Sequence, residues 1–245
     1  MTAVVLLIVG VQIGLAEEVR FETKDGVTIV GDYFAPAEWA TDKWVNKKAP
    51  VVVLLHMYRS DRSAWRTLTP KLHEAGFAVL AIDMRGHGDS QEPLTMELKL
   101  KVASRDAGVF QSKWQDVAAA KKWLSEREGV DSSQLGIVGA SVGCSVALDY
   151  GRRDEDVKAI ACMTPGRNYL HLDSVEHIKA YGDRPVLMLA TAEERLAAEE
   201  LAKLGNGAKA EIVAPGKHHG TRMFGVVDGI EDRIVLYLGE VMGES

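Results

Sequence analysis

The sequence predicts an α/β fold: a mostly parallel central sheet with an antiparallel N-terminal hairpin, helices on both faces and no large cap. Three observations lead there. From Pro50 onward, short apolar runs alternate with amphipathic, helix-forming stretches. The apolar runs are continuous rather than alternating, as suits strands buried on both faces of a parallel sheet. Ahead of them, two strand-like segments flank a Lys24-Asp25-Gly26 turn, the pattern of a hairpin.

Taken in order, Val19-Arg20-Phe21-Glu22-Thr23 alternates as a half-buried strand does, and Val27 to Phe34 reads as its partner. Ala35 to Lys48 reads as a loop carrying Trp39 and Trp44. Val51 to His56, after Pro50, is the first buried strand. A helix is expected around Trp65 to Glu74, closed by Gly76. Phe77 to Ile82 is the next strand and ends in Asp83. Thr95 to Lys113 reads as a short excursion at a rim. A helix is expected over Gln115 to Glu128, a strand over Leu135 to Gly139, and a helix from Val142. Val157 to Met163, Pro185 to Leu189 and Ala210 to Val213 complete the strands. Ala192 to Leu204 and Gly229 to Val241 complete the helices. Only Thr164 to Arg184 separates the strand ending at Met163 from the next, and roughly twenty residues cannot build a large lid.

A chain of 245 residues that is 47% hydrophobic can bury one sizeable core. Its net charge of -6 lacks the basic footprint of a nucleic-acid or anionic-membrane binder. Cys144 and Cys162 make no disulfide framework; they read either as a pair in an oxidising compartment or as two buried thiols. No Cys/His cluster has zinc spacing, and the consecutive His218 and His219 do not share a face of a regular element, so no metal is expected. Ala3 to Leu15 is apolar apart from Gly10, Gln12 and Gly14, and is too short for a comfortable span. Gly14-Leu15-Ala16 places small residues where a signal peptidase reads, although no Lys or Arg stands near Met1. Residues 1–16 are therefore expected to be an export signal, leaving no stable membrane span, with a cytoplasmic protein as the alternative. Residues 17–245 are expected to form a single domain, as a monomer or small homo-oligomer.

The chemical signal is Gly139-Ala140-Ser141-Val142-Gly143. G-x-S-x-G alone is weak, so its setting decides. A strand-like run, Gln134 to Val138, precedes it, and a helix-like run, Cys144 to Leu148, follows. Strand, sharp turn and helix make a nucleophile elbow. The serine takes strained backbone geometry, the glycines admit neighbouring chains, and the helix start aims N–H groups at developing negative charge. Three further motifs fall in order around it: Leu54-Leu55-His56-Met57-Tyr58, the loop Asp83-Met84-Arg85-Gly86-His87-Gly88-Asp89-Ser90, and His219-Gly220. From about Glu18 to the C-terminus the chain resembles the α/β-hydrolase family, nearest its small-esterase and dienelactone-hydrolase-like branch. It departs from dienelactone hydrolases in having Ser141 where they carry a cysteine.

The resemblance implies a triad with Ser141 as nucleophile, His219 as base and Glu194 as acid. His219 is favoured over His218 because the family's base commonly precedes glycine. Glu194 follows the strand ending at Leu189 in the register of the family's acid, with Glu193 as the alternative. Both glutamates also suit a first helical turn; if they only cap, Asp173 or Asp183 is left. The oxyanion donors implied are the Val142 and Tyr58 N–H groups, with Met57 in place of Tyr58 as the alternative. His56, His87 and Arg85 fall in structural loops, His73 in a helix, and His171 and His177 read as surface. Arg59, Asp61 and Arg62 read as helix-start charges or as a clamp for a substrate carboxylate. The implied activity is a cofactor-free serine carboxylesterase whose partner is a small-molecule, short-acyl ester. The alternatives are a thioesterase, a lactonase or dienelactone-hydrolase-like enzyme, a small peptidase, or a non-catalytic ligand-binding protein.

Overall fold

A computed structural model describes residues 16–44, 48–90 and 95–243. The apolar N-terminal segment expected to direct export lies outside these residues, save Ala16. Among the described residues, no helix is long and apolar enough to cross a membrane.

In chain order the elements are β1 (Glu17–Glu22), β2 (Thr28–Phe34), β3 (Ala49–Leu55), α1 (Thr69–Glu74), β4 (Ala78–Asp83), α2 (Thr95–Ala103), α3 (Ala107–Gln111), α4 (Trp114–Ser125) and β5 (Val130–Ala140). They continue as α5 (Val142–Gly151), β6 (Val157–Met163), β7 (Asn168–Tyr169), β8 (Leu172–Asp173), α6 (Ser174–Tyr181), β9 (Val186–Thr191), α7 (Arg195–Ala202), β10 (Ala208–Ala214) and α8 (Ile230–Gly243). Eight strands form one sheet in the order β1-β2-β4-β3-β5-β6-β9-β10. β1 and β2 pair antiparallel, as do β2 and β4. Every other pairing in the sheet is parallel. β7 and β8 make a separate two-residue hairpin.

Period-two side-chain geometry splits the core between the two faces. Val51, Val53 and Leu55 of β3 pack into a cluster with Val117 of α4 and Val146 of α5. Val52 and Leu54, the residues between them, join Leu72 of α1 with Ile234 and Leu238 of α8. This two-sided burial is why β3 has no polar alternation to read. The N-terminal strand differs: Val19 is buried while Glu18 and Arg20 are exposed.

Several boundaries move from those expected. The helix expected at Trp65 is broken, with a 3-10 turn at Arg62–Trp65 and α1 starting at Thr69. Pro70 lacks an N–H and fits only a first turn, so one helix cannot run through it. β5 begins at Val130, well before Leu135, and its pairing with β3 shifts register between Pro50 and Val51. Ala192–Glu194 is a 3-10 turn and α7 follows it. The rim excursion contains α2 and α3. His177, expected at the surface, is buried on α6, with Nε2 3.4 Å from Asp149. Cys144 and Cys162 are both buried free thiols.

Candidate active site

Ser141 sits between β5 and α5 at φ 53°, ψ -116°. Positive φ is uncommon for a residue with a side chain, and the surrounding structure must impose it. Here the packing does. A Cβ on Gly143 would lie 2.2 Å from the Leu55 carbonyl oxygen, and one on Gly139 would lie 2.4 Å from that of Gly143. Both positions therefore require glycine. The Ser141 N–H donates to Met163 O at 2.9 Å, which ties the turn to the end of β6.

Close packing of Gly143 on Leu55 brings the first turn of α5 beside the loop that follows β3. Val142 and Tyr58 flank that junction, and among the described residues no hydrogen bond occupies either N–H. The Tyr58 ring is held away from the elbow. Its hydroxyl donates to Val102 O at 3.2 Å, and its ring meets His87 and Phe110 edge-on. His56 staples the same loop: Nδ1–H donates to Met57 O at 2.8 Å, and Nε2 accepts from Met84 N–H at 3.0 Å. Burial pushes the His56 pKa down to about 4, so the ring stays neutral and keeps both bonds.

His219 lies in the loop after β10. Its Nδ1 is 2.8 Å from Glu194 Oε1. The next residue, Gly220, has φ 56° and donates its N–H to Thr164 Oγ1 at 2.9 Å. Thr164 itself donates its N–H to Leu189 O at 2.7 Å, so the ends of β6 and β9 together fix the histidine loop. His218 is engaged through its backbone, which donates to Thr191 Oγ1 at 3.1 Å.

Of the two glutamates, Glu194 alone reaches the ring. Glu193 is exposed and bonds through its backbone N–H to Gly216 O at 3.1 Å. Asp173 caps α6, accepting from Val175 and Glu176 N–H, and Asp183 accepts from Asn206. The second Glu194 oxygen, Oε2, is buried with no hydrogen bond among the described residues. The carboxylate is thus directed at one partner, the imidazole.

Tyr169 was not singled out by the sequence. The β7–β8 hairpin carries its ring edge-on to His219, with centroids 6.2 Å apart. The only local hint is an aromatic residue in the short stretch between β6 and α6.

Arg62 does not stand free as a substrate clamp. It pairs with Glu18, Asp32, Asp83 and Asp89 and knits the start of the sheet to the loop after β4. Asp61 caps the 3-10 turn. Arg59, at φ 60°, packs over the Tyr58 ring and lines a cavity of about 300 Å³ with His87, Lys99 and Val102. Arg85 is buried between Asp116 and Asp25, and the buried Lys113 donates to its carbonyl at 2.8 Å. These bonds give the loop Asp83 to Ser90 a structural role. Among the described residues, no group of three or more His, Cys, Asp or Glu side chains is arranged to hold a metal ion.

Comparison with known proteins places this architecture. A protein of Mycobacterium tuberculosis described as uncharacterized is 25% identical over 224 residues, spanning 82% of this chain and 72% of its own. An esterase of Pyrococcus furiosus superposes with a TM-score of 0.71 at 18% identity, covering 94% of each chain. A dienelactone hydrolase from Anabaena variabilis superposes with a TM-score of 0.68 at 18% identity, covering 94% of this chain and 97% of its own. At such identities these two structures speak for the fold alone. The family model for the alpha/beta hydrolase fold matches residues 50–221, a stretch that begins at β3 and ends just past His219. The chain belongs to the alpha/beta hydrolase fold family.

Proposed function

We propose that the protein is a serine carboxylesterase that cleaves small or short-acyl esters through an acyl-enzyme. The observation that carries this reading is the 2.8 Å bond between His219 Nδ1 and Glu194 Oε1 in a loop fastened beside the Ser141 elbow. A carboxylate on Nδ1 fixes the tautomer, leaving Nε2 as the proton acceptor. His219 Nε2 takes the Ser141 proton and Oγ attacks the ester carbonyl. The oxyanion receives the Tyr58 and Val142 N–H groups; one such donor is worth about 2.7–4 kcal/mol in related sites. The alcohol leaves with the proton from His219, and water then releases the acyl group by the same steps. No cofactor takes part.

The small-substrate reading is supported by the stretch between β6 and β9. It holds a two-residue hairpin and the eight-residue α6, which leaves little chain for a lid. A lactone substrate is the second reading, because a lactone is an ester that the same triad can open and the stretch between β6 and β9 leaves little chain to cover the cleft. The test is a series of p-nitrophenyl esters from acetate to palmitate, run beside a thioester and a lactone. Activity peaking at acetate to butyrate is expected. A lactone or thioester preferred over every ester would replace the substrate assignment, and a peak at palmitate would contradict the short-acyl reading.

A further inference from the structure

We propose that the cavity between the loop after β3 and the turn after His219 is an anion subsite, and that it receives a phosphate carried on the alcohol side of the ester. This rests on reading the protein as an ester hydrolase with its chemistry at Ser141.

The cavity has a volume of about 530 Å³ and is walled by Arg59, Asp61, Arg66, Thr221, Arg222 and Phe224. Phe224 meets the fully buried Trp65 edge-on, with centroids 5.8 Å apart, which makes that wall firm. The two loops around the cavity are laid against the elbow. A Cβ on Gly220 would lie 3.2 Å from Met57 Sδ and 3.4 Å from Ala140 Cβ. Arg59 directly follows the candidate oxyanion donor Tyr58, and Arg222 N–H donates to His219 O at 3.1 Å. His219 hands its proton to the leaving alcohol, so a cavity walled by the turn that begins at His219 lies on the alcohol's side.

The positive charge gathered here is unpaired. Among the described residues, Arg59, Arg66, Arg105 and Arg222 are the arginines whose guanidinium meets neither a carboxylate nor a backbone carbonyl. Arg59, Arg66 and Arg222 line the cavity, and Arg105 shares the Tyr58 ring with Arg59, at 5.9 and 5.3 Å from its centroid. A chain of net charge -6 thus concentrates free guanidinium groups at one place beside the candidate site. Asp61, the acid in the wall, accepts from Ser63 N–H and Oγ, and the wall stays net positive. Arg59 is also held under strain. Ser60 N–H donates to Met57 O at 3.1 Å and closes a four-residue turn whose third residue is Arg59, at φ 60°. Glycine or asparagine usually stands at such a position. Strain of this kind gathers at ligand clamps.

The chemistry of the wall selects the ligand. A guanidinium is a planar fork of donors that matches pairs of oxygens. A phosphate monoester carries about 1.5 to 2 negative charges at neutral pH and three terminal oxygens, so it can engage three forks at once. A carboxylate has one charge and two oxygens. The phosphate takes no part in the bond changes. The ester C–O bond breaks, the acyl group passes to Ser141 Oγ, and the phosphorylated alcohol leaves with the proton from His219.

The test compares the acetyl esters of glycerol and of glycerol 3-phosphate in the wild type, Arg66→Gln and Arg222→Gln, two substitutions at exposed positions. The quantity read is the ratio of kcat/KM, phosphorylated over unphosphorylated, in which any general loss of activity cancels. A ratio of at least about 10 is expected in the wild type, and each substitution should bring it close to one. A wild-type ratio near one overturns the subsite, and so does a high ratio that neither substitution lowers. The acetyl ester of glyceric acid carries a carboxylate in place of the phosphate; faster turnover of it than of the phosphorylated ester overturns the choice of phosphate. Turnover of none of these esters by the wild type overturns the ester reading, and calorimetric titration with glycerol 3-phosphate then decides the cavity by itself. Binding that both substitutions weaken about 10-fold upholds the anion site, and no binding overturns it.

Discussion

Glu194 and Glu193 are neighbours with opposite fates. One meets His219 Nδ1 at 2.8 Å and the other is exposed. A 3-10 turn after β9 makes the difference, because it swings the second glutamate back over the strand ends. Glu194→Gln should therefore lower kcat by about 10²–10⁴-fold, as loss of the imidazole's orienting charge does elsewhere, while Glu193→Gln stays within about twofold. His219→Ala should likewise be far more damaging than His218→Ala. Steady-state kinetics on p-nitrophenyl acetate checks both pairs, and a reversed order in either would reassign that member. At this scale the sequence was readable where a residue type is demanded by its motif. Ser141 needs flanking glycines, and His219 precedes one. Tyr169 was hidden because its position depends on positive φ at Leu170 and His171, and neither residue type signals such a turn.

Among the elements, the joint between the antiparallel edge and the parallel sheet depends on one cation. Arg62 reaches Glu18 on β1, Asp32 on β2, and Asp83 at the end of β4. The Asp83 carboxyl is fully buried; burial pushes its pKa up, against the pull of bonds from Arg62 and from Asp89 N–H. Removing the partner of a buried charge costs several kcal/mol, so Arg62→Ala should lower stability by about 3 kcal/mol in urea unfolding. A loss below about 1 kcal/mol would mean that the carboxylates relax without it. The sequence offered Arg62 as a helix-start charge or a clamp because its partners come from three distant strands. Element boundaries were legible where an apolar run starts and stops, as in β4 and β6. They were not legible at Thr69, where Pro70 resets the helix, or at Val130, where β5 begins in polar residues before its apolar stretch.

Across the whole molecule, the alternation of apolar runs and helices conveyed a mostly parallel sheet covered on both faces, while the strand order came only with the structure. The buried loops beneath the candidate site set a pH response that no local pattern conveys. Burial pushes the His56 pKa down to about 4, and burial with the nearby Lys113 charge pushes that of His87 to about 2. In the unfolded chain each titrates near 6.5. Between that pH and the folded values the unfolded chain binds more protons, so stability falls as pH drops below about 6.5, by up to about 1.4 kcal/mol per unit for each ring. Lys113, pushed down to about 7 by burial, carries the same sign of dependence upward toward its unfolded value. Through these three groups melting temperatures should rise from pH 5 to pH 8, against an opposite contribution on the acid side from Asp83 and Asp116, whose pKa values burial pushes up. His87→Phe should show a shallower slope between pH 5 and 6.5, and an unchanged slope would mean that His87 is charged in the fold.

The reading of Ser141 as nucleophile is tested most directly by hydrolysis of p-nitrophenyl acetate with wild type and Ser141→Ala in parallel, after circular dichroism has shown both to be folded. Turnover by the wild type and a loss of at least about 10³-fold in the variant is the expected result. Equal turnover by the two proteins would contradict it, since the elbow, the Glu194–His219 pair and the donors around them would then act on nothing at Ser141.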